Sequence, residues 1–287
     1  MAYNVNGLAS YVEENKDIIL KDMVFGSEAG NTISMFTKEL GVKGTAKIHP
    51  ATISAVLQEV NGNCGFNPSG DLNIAEVTIE TKNYKVNTEF CAEKLIGKFA
   101  EYKVRVGANE DALPFEAEIV EGLVKDINRQ VEKGVWGQLI NITSADSTDK
   151  SSAYDRIMEV YMGMPEEVLE DGVIFVSPST FREYIKELVD KNLYHYNPAD
   201  GALDEMFIAG SNVKVKKAIG CTQEDGDYIF GTSPKNLVYA TDFMGNNEEV
   251  KVWFSDDNDT YRVKVRFNYG ATVIFPDLAK VTVYARQ

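Results

Sequence analysis

Histidine occurs only twice in this chain, at His49 and His195, and cysteine three times, at Cys64, Cys91 and Cys221. Two histidines exclude a histidine-rich metal centre. Three widely spaced cysteines, never as CxxC, argue against a disulfide framework and for a reduced compartment. No apolar run nears the roughly 18–20 residues that span a bilayer. The N-terminus MAYNVNGLASYVEENKD has no basic start and no apolar stretch, so no secretion signal is read there, and the sequon Asn141-Ile142-Thr143 is a chance match. Basic residues are also scarce. Twenty-nine Lys and Arg stand against 44 Asp and Glu, a net charge of −15 and a pI near 4.7. Such a surface repels phosphate backbones, which disfavours a dedicated nucleic-acid reader but suits a protein that encloses nucleic acid without gripping it. It also holds copies apart unless their interfaces are large and specific.

The motifs of common chemistry are missing too: Walker A, HExxH and GxSxG. GVKGTAK (Gly41–Lys47) lacks the spacing of a phosphate cradle. Neither histidine sits in a recognisable catalytic context beside a cysteine. Ser177-Pro178-Ser179-Thr180 follows an apolar run and opens a helix, where an N-cap is the simpler reading than an anion site. With 44 carboxylates a two-carboxylate hydrolase stays open as an alternative, but no pair is singled out. No catalytic, metal-binding or cofactor-binding residue and no cofactor is assigned.

What is present describes an ordinary globular chain of 287 residues, 44% hydrophobic and 25% charged, long enough for one large domain or two modest ones. SYVEENKDIILKDMVF predicts a helix with Val12, Ile18, Ile19 and Met23 on one side and a capping box at Ser10 and Glu13. From Gly41 to Asn87 glycine, asparagine and turns interrupt short strands. In EVTIETKNYKVN, Val77 and Ile79 alternate in one phase and Tyr84 and Val86 in the other, which demands a break around Thr81–Asn83. This arm has little apolar content of its own and needs another surface to lie on. PFEAEIVEGLVKDINRQVEKGVW, Pro114–Trp136, is the clearest helix, with Ile119, Val120, Leu123, Val124, Ile127, Val131 and Val135 in a stripe over ~35 Å. Helix YDRIMEVYMGM, a buried strand at Val173–Val176 and a helix from Pro178 to Lys191 follow. The C-terminal third is mainly strands, among them NVKVKKAIG, DYIFGTS, NLVYATD, TYRVKVRF, ATVIFP and AKVTVYA. The class is α+β.

SDDNDTY, Ser255–Tyr261, lies between two alternating strands. Pairing them about the Asp257–Asn258 bond sets Phe254 against Tyr261, Val252 against Val263, Val250 against Val265 and Glu249 against Arg266. Trp253 then faces Arg262, a plausible cation–π pair, and Lys251 opposite Lys264 is the one poor match. A two-residue slip would also keep the faces correct. The aspartates at the tip lack the glycine and glutamate of a calcium loop, so a structural turn is expected.

The order of these phrases resembles the major capsid proteins of tailed bacteriophages with the Hong Kong 97-like fold, and among them those of Bacteroides-type phages or prophages. The carriers are PFEAEIVEGL, PEEVLEDGVIFVSPSTFREY, MFIAGSNVKVKKAIG, NLVYATD, the hairpin and YGATVIFPDLAKVTV. The resemblance implies an N-terminal arm at residues 1–40 and an extended loop, the E-loop, at 41–90. A peripheral domain with the spine helix would span 91–143, a mixed α/β A-domain 144–240, and the peripheral-domain hairpin and C-terminal strands 241–287. It implies a non-enzymatic structural protein that self-assembles through hexamers and pentamers into an icosahedral shell around double-stranded DNA. Portal and scaffolding proteins would be its partners, with no membrane and no sequence-specific DNA binding. The virion would be its location, after assembly in the bacterial host cytoplasm. The hairpin tip Asp256, Asp257, Asn258 and Asp259 would touch a neighbouring copy. In the founding member a loop lysine bonds covalently to an asparagine near this tip. Asn258 stands in a similar place, with Lys43, Lys47 and Lys82 in or near the loop, but the required partner glutamate has no assignable counterpart and noncovalent contacts are expected. A start at Met1 without a long helical scaffold segment implies a separate scaffolding protein. Two alternatives accompany this reading: an encapsulin-like compartment shell, and a monomeric carboxylate-dependent hydrolase or sugar-binding protein with its arm folded on its own core.

Overall fold

The computed structural model describes residues 6–25, 32–57, 69–91, 94, 115–193, 204–242, 249–255, 257–258 and 260–285. Helix α1 (Asn6–Phe25) buries Val12, Ile19, Leu20, Met23 and Val24. Ile18, expected on this stripe, is 63% exposed. At about 100° per residue it points well away from the line through Val12, Ile19 and Met23. The expected capping box does not form, because the helix begins at Asn6 and Ser10 is an exposed residue inside it. Glu13 pairs instead with Lys16 at 3.6 Å.

Strand β1 (Thr37–Leu40) leads into β2 (Thr45–Ile48), β3 (Ala51–Ala55), β4 (Gly70–Ile74), β5 (Val77–Glu80) and β6 (Lys82–Cys91). The phase break falls at Thr81. There the chain leaves β5, which pairs with β2, and enters β6, which pairs antiparallel with a later strand from Lys82 to Cys91. Thr81 is pinned to the start of the arm: its N–H donates to the Gly44 carbonyl at 2.6 Å, and its Oγ1 accepts from the Gly44 N–H at 3.0 Å.

Helix α2 (Phe115–Ile142) runs six residues beyond the expected Trp136 end. Ile127, Val131, Val135, Trp136 and Leu139 are all within 2% of complete burial. Pro114 lies outside the described residues. Then follow β7 (Asp146–Ser147), α3 (Ala153–Gly163), β8 (Val173–Val176), α4 (Pro178–Asp190), β9 (Glu205–Phe207), β10 (Lys214–Lys217), β11 (Asp227–Thr232), β12 (Leu237–Thr241), β13 (Glu249–Ser255), β14 (Thr260–Val273) and β15 (Lys280–Tyr284). TYRVKVRF and ATVIFP, expected as separate strands, are one 14-residue strand. Gly270 between them is no turn. A Cβ there would stand 2.1 Å from the Glu80 carbonyl, so glycine is what lets the end of β5 cross β14 backbone to backbone.

Two sheets result. In one, the order is β1-β12-β14-β13, with β6 on β14; in the other it is β7-β15-β11-β8-β10-β9. The second sheet is covered on both faces, which explains why β8 and β11 are buried at every residue. Val173, Phe175 and Phe230 face the main core with α1 and α2, while Ile174, Val176 and Ile229 face α3 and α4. Trp136 ties the layers together, its ring 4.8 Å from Phe175 and 5.5 Å from Phe230. Helix α4 is capped by Ser177, whose Oγ accepts from the Thr180 N–H at 3.2 Å. Ser179 donates to Asp227 at 3.0 Å, placing a carboxylate where an anion would have to sit. The N-cap reading of this turn holds.

Candidate assembly surface

The arm is a two-stranded ribbon. Pairing runs from Thr45↔Glu80 to Ile48↔Val77 in β2/β5, then from Ala51↔Ile74 to Ala55↔Gly70 in β3/β4, and the Ala75 N–H to Pro50 carbonyl bond at 3.0 Å joins the two parts. Its root has a small core, because Ile79 and Val42 pack with Val238 and Ala240. This is more apolar anchorage than the sequence pattern suggested. Lys43 at the root lies 3.8 Å from buried Asp242, and Lys47 pairs with Glu76 at 2.6 Å. Gly70 (φ +110°) closes the far end, where a Cβ would meet the Ser54 carbonyl at 2.3 Å.

Beyond the root the ribbon is two-faced. Alternation puts Thr52, Ser54, Asp71 and Asn73 on one side and Ala51, Ile53, Leu72 and Ile74 on the other. Ile53 is 74% exposed, Leu72 57% and Ile74 60%, and every residue of β3 and β4 is exposed. Ile53 and Leu72 sit directly opposite each other. Full burial of each such side chain is worth roughly 1.5–3 kcal/mol. A lone two-stranded ribbon is marginal in water, and among the described residues nothing covers this apolar face.

The hairpin register is the expected one at every position from Glu249↔Arg266 to Phe254↔Tyr261, closed by Ser255↔Thr260. The awkward Lys251–Lys264 pair is resolved by Glu249, 3.1 Å from Lys264 and 3.9 Å from Lys251. The hydrogen bond from Lys264, joined by the charges of Lys264, Lys251 and Arg266, outweighs the opposing desolvation and holds the Glu249 carboxyl below its ordinary pKa. Arg262 does not stack on Trp253 as expected but approaches Glu89 on β6 at 3.8 Å. Of the four tip residues, Asp257 and Asn258 form an exposed turn, while Asp256 and Asp259 lie outside the described residues. With its amide oxygen turned to Arg262, Asn258 accepts from Nη2 at 2.9 Å, which ties the tip to its own strand.

One cluster escaped the sequence reading. Trp136 Nε1 donates to Thr32 Oγ1 at 2.9 Å, and Thr32 Oγ1 donates to Glu132 Oε1 at 2.8 Å. Burial raises the Glu132 pKa; hydrogen bonds from Thr32 and the Ile219 N–H, with the Lys216 charge, offset only part of that. The cluster joins the segment after α1, the long helix and the second sheet's periphery across a hundred residues of sequence. No local signal could announce it.

Carboxylates do gather beside a surface depression of about 280 Å³ lined by Arg156, Glu183, Glu187 and Asp190. Two of them already have structural tasks. Glu183 pairs with buried Arg156 at 2.8 Å. Glu187 accepts from Ser152 at 2.6 Å and from the Ala153 and Tyr154 N–H groups at 2.9 Å, capping α3. Burial alone would raise its pKa, but those bonds and the Lys191 charge outweigh it and hold the carboxyl low. Cys221 is fully buried, and burial followed by the Glu132 and Asp227 charges pushes its thiol well above the ordinary range, unlike a nucleophile. His195 and Cys64 lie outside the described residues, and His49 is exposed between β2 and β3. Among the described residues no helix is long and apolar enough to cross a membrane.

No family model and no curated protein matches the sequence. Solved structures do match. The fold is similar to a chain of the satellite phage P4 procapsid, with a TM-score of 0.58 at 9% identity over 93% of this chain and 90% of that one. It is similar to a chain from the capsid of an empty GTA particle, with a TM-score of 0.55 at 9% identity over 91% of both. It is also similar to a chain of the bacteriophage PhiM1 mature capsid, with a TM-score of 0.53 at 12% identity over 91% and 89%. At such identities the likeness is one of fold, and it spans nearly the whole of each chain.

Proposed function

We propose that this chain is a phage major capsid protein of the Hong Kong 97-like type, a structural subunit that closes with its own copies into an icosahedral shell around double-stranded DNA. The observation that carries the reading is the ribbon of β3 and β4, hydrogen-bonded yet exposed at every residue, with Ile53, Leu72 and Ile74 on one uncovered face. A neighbouring copy is the cover that suits it, and the fold shared with the P4, GTA and PhiM1 capsid chains supports that partner.

The division into N-terminal arm (1–40), E-loop (41–90), peripheral domain with spine helix (91–143), A-domain (144–240) and C-terminal hairpin and strands (241–287) belongs to the same proposal. The free ribbon is its E-loop and α2 its spine helix. The tip residues Asp256, Asp257, Asn258 and Asp259 make noncovalent contacts with another copy. Portal and scaffolding proteins, assembly in the bacterial cytoplasm and residence in the virion follow from the capsid role. A Bacteroides-type phage or prophage as source rests on the sequence phrases alone. The net charge of −15 fits a container that does not hold its genome to the wall. Electron microscopy and sizing of the purified chain at high concentration test this. Rings or closed shells with the ribbon over an adjacent subunit are expected. A strictly monomeric protein with the ribbon folded against its own body would overturn it.

A further inference from the structure

The sheet formed by β13, β14 and β6 has two unlike faces. Val250, Val252, Val263 and Phe90 point to α1 and α2, whose Val12, Ile19, Val120 and Leu123 close the layer. The opposite face is a three-by-three grid fixed by register: Glu249, Lys251 and Trp253 on β13; Arg266, Lys264 and Arg262 on β14; Lys85, Asn87 and Glu89 on β6. Five cations against two carboxylates give it +3, so the rest of a chain of net charge −15 carries −18. Lys264, Lys251 and Arg262 are engaged by Glu249 and Glu89. Lys85 and Arg266, adjacent and exposed, have no ion pair among the described residues. Trp253 lies on the same face, 38% exposed.

We infer that this basic face docks on the acidic surface of a second copy of the chain, as a contact separate from the apolar ribbon; the inference rests on the shell reading. Charge complementarity favours that occupant. Any surface of another copy is drawn from residues summing to −18, and a local +3 face offsets part of the repulsion between acidic subunits. The composition is that of a protein contact, since exposed Trp and Arg are enriched at such interfaces while the salt-bridged carboxylates order the remaining cations. A nucleic-acid backbone fits less well. With only two cations outside the ion pairs among the described residues, the salt dependence would be about −1.8 in log–log slope, from ~0.9 per neutralised phosphate, too little to hold a duplex against the surrounding negative field. The grid spans roughly 14 Å by 10 Å from strand geometry, a fraction of the ~800 Å² per partner of a standard interface. It therefore registers and steers a larger contact and does not make it alone.

The test compares the full wild-type chain with the double variant Lys85→Glu/Arg266→Glu by sedimentation velocity over a concentration series, at about 50 mM and about 500 mM salt. Circular dichroism and melting check that the variant is folded, and Lys85→Gln/Arg266→Gln serves as a milder second variant. At low salt the reversal is expected to weaken self-association at least ~10-fold, with the neutral variant between, and the gap to narrow at high salt. Folded variants that associate like the wild type at both salts overturn the inference and leave the shell reading standing. A 30-base-pair duplex retained by the wild type and lost by a normally associating variant overturns it in favour of nucleic acid. A wild-type chain that never associates at either salt overturns this contact, while the shell reading falls only if the ribbon is also folded against its own body.

Discussion

Strands β8 and β11 are buried at every residue, whereas β3 and β4 are exposed at every residue, although both pairs are regular antiparallel ladders. Hydrogen bonding does not separate them; cover does. β8 and β11 are sandwiched between the α1/α2 core and the α3/α4 core, so their stability is internal to the chain. The β3/β4 ribbon carries the apolar side chains of Ile53, Leu72 and Ile74 with nothing over them among the described residues. On the proposed shell reading, the first region is completed within a subunit and the second by an assembly. Mutations in the two should therefore separate folding from association.

The largest expected effect breaks the buried side. Trp136→Ala empties a fully buried site between Phe175, Phe230 and Phe36 and leaves Thr32 without its donor, at a cost of about 3–5 kcal/mol in urea unfolding of the monomer. Its counterpart on the open side, Ile53→Ser with Leu72→Ser, should change monomer stability by no more than about 0.5 kcal/mol while abolishing particles in sizing and microscopy. A ribbon variant that unfolds the monomer would erase the comparison.

Next comes the root that joins the two regions. Gly270→Val drives a side chain into the Glu80 backbone, and about 1–3 kcal/mol of destabilisation is expected, with faster amide exchange at Thr81 and Gly44. Exchange unchanged at those two residues would uncouple root from body.

Glu132 gives a smaller, pH-dependent effect. Its folded pKa lies above the reference 4.5, so the native state holds its proton more tightly than the unfolded chain does. The protonated-state advantage is fully present below 4.5 and is lost as pH rises through the higher folded value. Wild-type stability should lose this contribution across that window, and Glu132→Gln should lack it. Parallel urea midpoints for both proteins across the window would contradict the assignment. The smallest change is expected at the hairpin tip: Asp257→Ala with Asn258→Ala should alter monomer melting by no more than the equivalent of about 0.5 kcal/mol and show itself only in particle yield.

Much of the body was legible because its signals are local. The faces of the β13/β14 hairpin followed from strict alternation on both strands, although a two-residue slip would have kept the same faces. The Thr81 break followed from a change of phase between Val77/Ile79 and Tyr84/Val86. Ile18 was misplaced because it adjoins Ile19 in sequence, while the step of about 100° per residue turns it off the stripe that Ile19 shares with Val12 and Met23. TYRVKVRF and ATVIFP were read as separate strands because the backbone that Gly270 accommodates, at Glu80, is distant in sequence. The Thr32–Glu132–Trp136 cluster gave no sign for the same reason. Lys251 opposite Lys264 seemed a fault until Glu249 on the same face bridged both. For the assembly surface, composition revealed that the arm needed support, but only the exposed Ile53, Leu72 and Ile74 identify the face that needs it.

The most direct measurement is single-particle electron microscopy of the purified chain at high concentration, beside the Ile53→Ser/Leu72→Ser variant. Wild-type assemblies with the β3/β4 ribbon lying apolar face down on an adjacent subunit, and a folded variant that stays monomeric, are the predicted result. A wild-type ribbon packed on its own body, or a variant that assembles as the wild type does, would contradict the claim that this face is completed by another copy.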